Sequence, residues 1–121
     1  MLNRFVNCYI RLPLPNRFIE TQKLLYEPCA DLYLAYCKFN RQYFDVNLFD
    51  ELSILLPNQL LSYPSIRQSE FLAGRYTAKV ALSAMHQRVC LEQVNIGKHK
   101  EPIFPQNVIG TLTHSNSIAM C

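Results

Sequence analysis

From Arg67 to about His86 the apolar residues recur with the period of a helix, and this run constrains the fold more than any other part of the chain. At about 100° per residue, Phe71, Gly74, Ala78, Ala81, Leu82 and Met85 fall on one stripe. Leu72, Tyr76 and Val80 spread beyond it, so the helix is expected to touch protein on more than one side. Ser65 with Gln68 fits a capping box, and Glu70 falls near the favourable N-terminal end of the helix dipole. Gly74 costs about 1 kcal/mol relative to alanine in a helix interior. Its place on the stripe predicts a close backbone approach that a side chain would block.

The remaining segments are shorter. Pro13 and Pro15 disfavour helix and central strand, so residues 1–17 read as an extended arm or edge. A short helix is expected near Glu20-Leu25, a strand at Tyr43-Phe44 that ends at Asp45-Asn47, and a short helix before Pro57 with a turn leading to Leu60-Leu61. Beyond the long helix, Val89-Cys90-Leu91 and Val94-Asn95-Ile96 read as strands. Gly97 to Pro102 reads as a basic loop kept irregular by Pro102 and Pro105. Val108 to Thr113 reads as a buried strand opening into His114-Ser115. The apolar run after Ser117 is expected to begin a strand that lacks a neighbour within these residues. The class is α+β: one long helix packed on a small sheet, in one domain over residues 1–121.

A chain of 121 residues, half of them hydrophobic and including seven Tyr and seven Phe, can bury a modest core. No run approaches the roughly 18 apolar residues that cross a membrane. Charges interrupt Met1-Leu14 too early for a signal peptide. The five cysteines are odd in number and, with His86, His99 and His114, show no zinc-ligand spacing, which points to a reducing, cytoplasmic setting. Residues 1–66 hold six basic and six acidic side chains; residues 67–121 hold six basic and three acidic, so the net charge of +3 lies entirely there. That excess could attract a phosphate-bearing partner, but from charge alone an ordinary solvated face is the favoured reading.

Arg75 on the helix edge, Lys98 and Lys100 in the basic loop, and Thr113-His114-Ser115 at a strand end are all groups that bind phosphate oxygens. Together they suit a ligand with several separated phosphates. Arg75 and Lys79 stack four apart on one border of the stripe, which His86 also follows. Ser115 beside His114 does not make a hydrolase site: no G-x-S-x-G elbow occurs, and adjacent strand residues point to opposite faces. Glu70, Glu92 and Glu101 form no pair for a divalent ion, and no dinucleotide or Walker pattern occurs.

Glu70-Phe71-Leu72-Ala73-Gly74-Arg75 resembles the helix signature of the 4'-phosphopantetheinyl transferases of the enterobactin synthetase component D type. Ile96-Gly97-Lys98-His99-Lys100-Glu101-Pro102-Ile103-Phe104-Pro105 and Val108-Ile109-Gly110-Thr111-Leu112-Thr113-His114-Ser115 resemble two further segments of that family, in the same order. Phe44-Asp45-Val46 and Leu55-Leu56-Pro57 are similar to upstream pieces, so the likeness spans roughly residues 40–121. It implies the first of two similar α/β halves, between which coenzyme A lies, with the C-terminal half absent from this sequence. It further implies transfer of the phosphopantetheine arm of coenzyme A to a serine of an acyl, aryl or peptidyl carrier protein, with Mg²⁺, in siderophore or other non-ribosomal peptide synthesis. Arg75, Lys100 and His114 would grip the phosphates, with Thr113 beside the nucleotide; Lys98 and Lys79 are added on charge and placement. Lys100 stands where that subgroup commonly has arginine, and loses its planar fork. The family's metal-binding Asp-x-Glu and its later Trp-x-x-Lys-Glu…Lys helix do not occur in these residues, so neither catalytic nor metal-binding residues are assigned. The alternatives are a non-enzymatic basic α+β module for nucleic acid or a protein partner, and an inactive truncated product. Nucleic acid is the less favoured partner, because the aromatics are not interleaved with the positive residues.

Overall fold

The computed structural model describes residues 6–7, 17–90 and 92–121. Its elements in chain order are β1 (Val6–Asn7), β2 (Ile19–Glu27), β3 (Leu32–Phe39), a 3₁₀ turn (Arg41–Tyr43), α1 (Leu48–Glu51), a second 3₁₀ turn (Asn58–Ser62), α2 (Ser65–His86), β4 (Asn95–Ile96), β5 (Pro102–Ile103), β6 (Thr113–His114) and β7 (Ile118–Met120). Five strands form one antiparallel sheet in the order β1-β2-β3-β7-β6; β4 and β5 make a separate two-stranded hairpin. The fold is the expected α+β arrangement, a long helix against an antiparallel sheet. Val6–Asn7 form an edge strand, and the rest of the predicted N-terminal arm up to residue 16 lies outside the described residues.

The helix expected near Glu20-Leu25 is strand β2. Its register with β3 shifts between Ile19 and Thr21, leaving Glu20 as the extra residue of a bulge. The bulge breaks the two-residue alternation, so Ile19 and Leu24 join the same core although an odd number of positions separates them. The strand expected at Tyr43-Phe44 is also replaced: Arg41–Tyr43 is a 3₁₀ turn whose N-terminal residue, Asn40, accepts from the Gln42 N–H. The anticipated short helix before Pro57 is α1, and the turn leading to Leu60-Leu61 is the second 3₁₀ segment.

α2 runs from Ser65 to His86 and packs on β3, β7 and β2. The predicted capping box does not form. Ser65 is already helical, Pro64 holds the cap position, and the Gln68 side chain donates instead to the Leu60 carbonyl at 2.8 Å. At the other end Gln87 is left-handed, with φ of 54°. The N–H groups of Gln87 and Arg88 close on Ala84 and Ser83, the paired bonds of a Schellman turn.

On the sheet side, the small residues Ala35, Cys37 and Ala119 share one buried core cluster with Leu72 and Ala73 of α2. Cys37 is 0% exposed, and burial pushes its thiol from 9.0 up to about 11, partly offset by a hydrogen bond with Thr77. The Tyr76 hydroxyl donates to Gln22 at 2.7 Å, and burial also raises this phenol. A second cluster, Ala78, Leu82, Cys90 and Val94, packs with Phe104, Val108 and Leu112. Met85 leaves the expected buried stripe and is 37% exposed, although its neighbour Ala84 is buried in the core.

Val89 and Cys90 are not strand, and Leu91 lies outside the described residues. Pro102, expected to stay irregular, pairs with Ile96 in the hairpin. Proline fits there because an edge position needs no N–H. The segment before Thr113 is not a buried strand: Ile109 is fully exposed and only Thr113–His114 pair. The run after Ser117 has neighbours on both sides, since β7 lies between β3 and β6. Cys121 extends this pairing, exchanging two 2.9 Å backbone bonds with Ala35.

Candidate functional site

One face of α2 meets the sheet only at its edge strand β6. Arg67, Glu70, Phe71, Gly74 and Arg75, at helical spacing, form a wall of a cleft of about 600 Å³. Gln59, Leu60, Tyr63 and Pro64 close one side; Ile96, Lys100 and Pro102 from the hairpin and Leu112, Thr113 and His114 from β6 close the other. This size suits a small-molecule site.

Gly74 overturns the close-approach expectation. A Cβ built there meets nothing within 4 Å, so its missing side chain leaves space in the cleft. Arg75 lies with its guanidinium 4.3 Å from the Phe71 ring centre, donating from Nε to the Val94 carbonyl at 2.8 Å and from Nη2 to that of Asn95 at 3.3 Å. These bonds fasten the strand β4 backbone to α2. Burial lowers the Arg75 pKa, and Cys121 partly offsets this. A guanidinium carries five donors, so Arg75 retains some for a ligand.

Glu70 organises the opposite corner. Its Oε1 accepts from Arg41 Nη2 at 2.7 Å, while Oε2 stands 3.5 Å from His114 Nδ1 and 3.8 Å from Arg67 Nη1. A contact through Nδ1 leaves the other ring nitrogen of His114 available as donor or acceptor. Lys100 adopts φ of 67° in the hairpin turn, where its N–H bonds to the Gly97 carbonyl at 3.0 Å, and its ammonium lies 5.9 Å from the Tyr63 ring centre.

Of the predicted phosphate-binding residues, Arg75, Lys100, Thr113 and His114 all line this cleft. Lys98 does not: it sits exposed on the hairpin turn, two residues from Lys100. Lys79 also lies outside it, donating to the Leu52 carbonyl at 3.0 Å; burial lowers its ammonium. Its charge therefore serves as a tie between α2 and the end of α1. Arg67, Phe71 and Tyr63 were not singled out as site residues. Arg67 was legible as the residue one helical turn before Glu70, while Tyr63 precedes the helix and carried no signal.

The cleft thus brings Arg67, Arg75, Lys100 and His114 into one lining, in which Glu70 contacts Arg67 and His114 and is itself held by Arg41. Among the residues that line the cleft, Glu70 is the one carboxylate, so the lining holds no carboxylate pair for a hard divalent cation. Residues 61–121 match the family described as the 4'-phosphopantetheinyl transferase N-terminal domain. That match covers half of the chain and includes α2, the hairpin and β6, and the chain belongs to this family. It begins later than the resemblance drawn from residue 40. No match to a curated protein was found.

Proposed function

We propose that this chain holds part of coenzyme A for a 4'-phosphopantetheinyl transferase of the enterobactin synthetase component D type. The supporting observation is the convergence of Arg75, Lys100, Thr113 and His114 on one basic cleft inside the segment that matches the family. Arg75 and His114 reach the cleft from separate elements, as a ligand with separated phosphates requires, and Lys100 adds a mobile point charge from a third. The Thr113 hydroxyl offers a neutral donor beside them. In the reaction the serine oxygen of an acyl, aryl or peptidyl carrier protein attacks the phosphorus bearing the pantetheine arm. The P–O bond to adenosine 3',5'-bisphosphate then breaks, and the serine proton passes to a base.

The cleft residues contribute charge stabilisation on the phosphates. They do not fit Mg²⁺, because Glu70 is already engaged by Arg41 and faces two further basic side chains. The metal and base are assigned to no residue of this sequence, and catalysis in this reading needs groups beyond these residues. A cytoplasmic setting and siderophore or related peptide synthesis complete the proposal.

Calorimetric titration of coenzyme A into the protein tests it. Binding competed by adenosine 3',5'-bisphosphate but not by pantetheine is expected. Arg75→Ala should weaken it by roughly ten- to a hundredfold, the scale of a lost charge-assisted bond. Unchanged affinity in Arg75→Ala, or tighter binding of an oligonucleotide than of coenzyme A, overturns the reading.

A further inference from the structure

A second constellation forms where α2 ends, away from the residues that line the cleft. An imidazole nitrogen of His86, the Cys90 sulfur and a carboxylate oxygen of Glu92 all lie within 4.8 Å of one another. Among the described residues this is the one group of three such donors. In sequence the spacing is His-x-x-x-Cys-x-Glu, which matches no common ligand pattern. We propose that these three side chains bind a zinc-class divalent ion.

The convergence is built by the backbone. The left-handed Gln87 and the Schellman bonds to Ala84 and Ser83 turn the chain back across the last helical turn. The Cys90 N–H then donates to Ser83 Oγ at 2.9 Å, which fastens Cys90 against α2. The Cys90 residue is 1% exposed and packs with Ala78, Leu82 and Val94, so its thiol is fixed by packing. Around a tetrahedral ion with bonds of about 2.0–2.3 Å, ligand atoms stand roughly 3.5 Å apart. Side-chain rotation of His86 and Glu92 closes the remaining gap.

The donor set selects the metal. Thiolate with imidazole favours zinc or its neighbours over Mg²⁺ or Ca²⁺, which take oxygen ligands. Three protein donors leave a fourth position for water. On binding, the ion replaces the thiol proton of Cys90, which passes to solvent. The ion would tie Cys90 and Glu92 to His86, just before the Val94 and Asn95 carbonyls that hold Arg75. Metal loading would therefore stiffen a wall of the cleft.

Chelator-treated protein of residues 1–121 is titrated with Zn²⁺ by calorimetry and with Co²⁺ by absorption spectroscopy. One ion per chain is expected, with a thiolate-to-cobalt charge-transfer band. Cys90→Ser should abolish the band. His86→Gln, checked for retained fold by circular dichroism, should weaken Zn²⁺ binding by more than roughly a hundredfold, beyond the loss typical of outer-shell changes. Absence of the band, its persistence in Cys90→Ser, its loss in Cys29→Ser, or unchanged affinity in both His86→Gln and Glu92→Gln overturns the site.

Discussion

The two sides of α2 follow opposite rules. Toward the sheet, Leu72, Ala73, Tyr76 and Thr77 meet small residues of β3 and β7, and the surfaces close completely. Toward the cleft, Arg67, Glu70, Phe71, Gly74 and Arg75 leave a space of about 600 Å³ that charged and apolar side chains line together. The packed side holds the helix still, so that the open side can keep Arg75 and Glu70 in position without filling the space between them. Rigidity and vacancy are properties of the same twenty-two residues, separated only by helical phase.

Breaking the packed side should have the largest effect. Leu72→Ala removes a side chain that is fully buried, and a loss of about 2–5 kcal/mol is expected from the transfer and cavity terms. Urea unfolding measures it; a loss below about 1 kcal/mol would mean that the helix–sheet interface relaxes as no close-packed interface does.

Alkali probes the same interface more gently. Burial holds the Cys37 proton more tightly in the folded state, raising its pKa from 9.0 to about 11. Its contribution is therefore complete below pH 9 and fades as pH rises toward 11, at most about 3 kcal/mol in all. The decline in urea midpoint across that interval should be shallower in Cys37→Ala than in the parent. Equal slopes would remove the buried thiol as a cause.

The smallest change sharpens the open side. Gly74→Ala adds a methyl group that meets nothing within 4 Å and improves helix propensity, so stability should rise by about 0.5–1 kcal/mol. A fall in thermal midpoint would show that the cleft is not open at this position.

The sheet was the least legible part of the fold. β2 read as helix because the Glu20 bulge interrupts its alternation, and Tyr43-Phe44 read as strand from composition although a local Asn40 cap bends them into a turn. β7 lacked an apparent partner because its neighbours are β3, far back in the chain, and β6. Four of the six candidates, Arg75, Lys100, Thr113 and His114, line one cleft, and they drew attention because charge and hydroxyl groups at element ends carry their chemistry in their identity. Lys98 lies outside the cleft that Lys100 lines, and two lysines two positions apart in a tight turn cannot be ranked without the turn's direction. The cluster of His86, Cys90 and Glu92 was invisible, since it depends on the left-handed residue between them.

By itself the sequence determined the long helix, its broad apolar girth and the basic bias of its second half, because periodicity and charge are local. Only the tertiary structure decided which side of that helix stays open, that Gly74 leaves space where close packing was expected, and that Glu70 meets Arg41 and His114. Those outcomes depend on pairings between distant segments, whose closure no local pattern encodes.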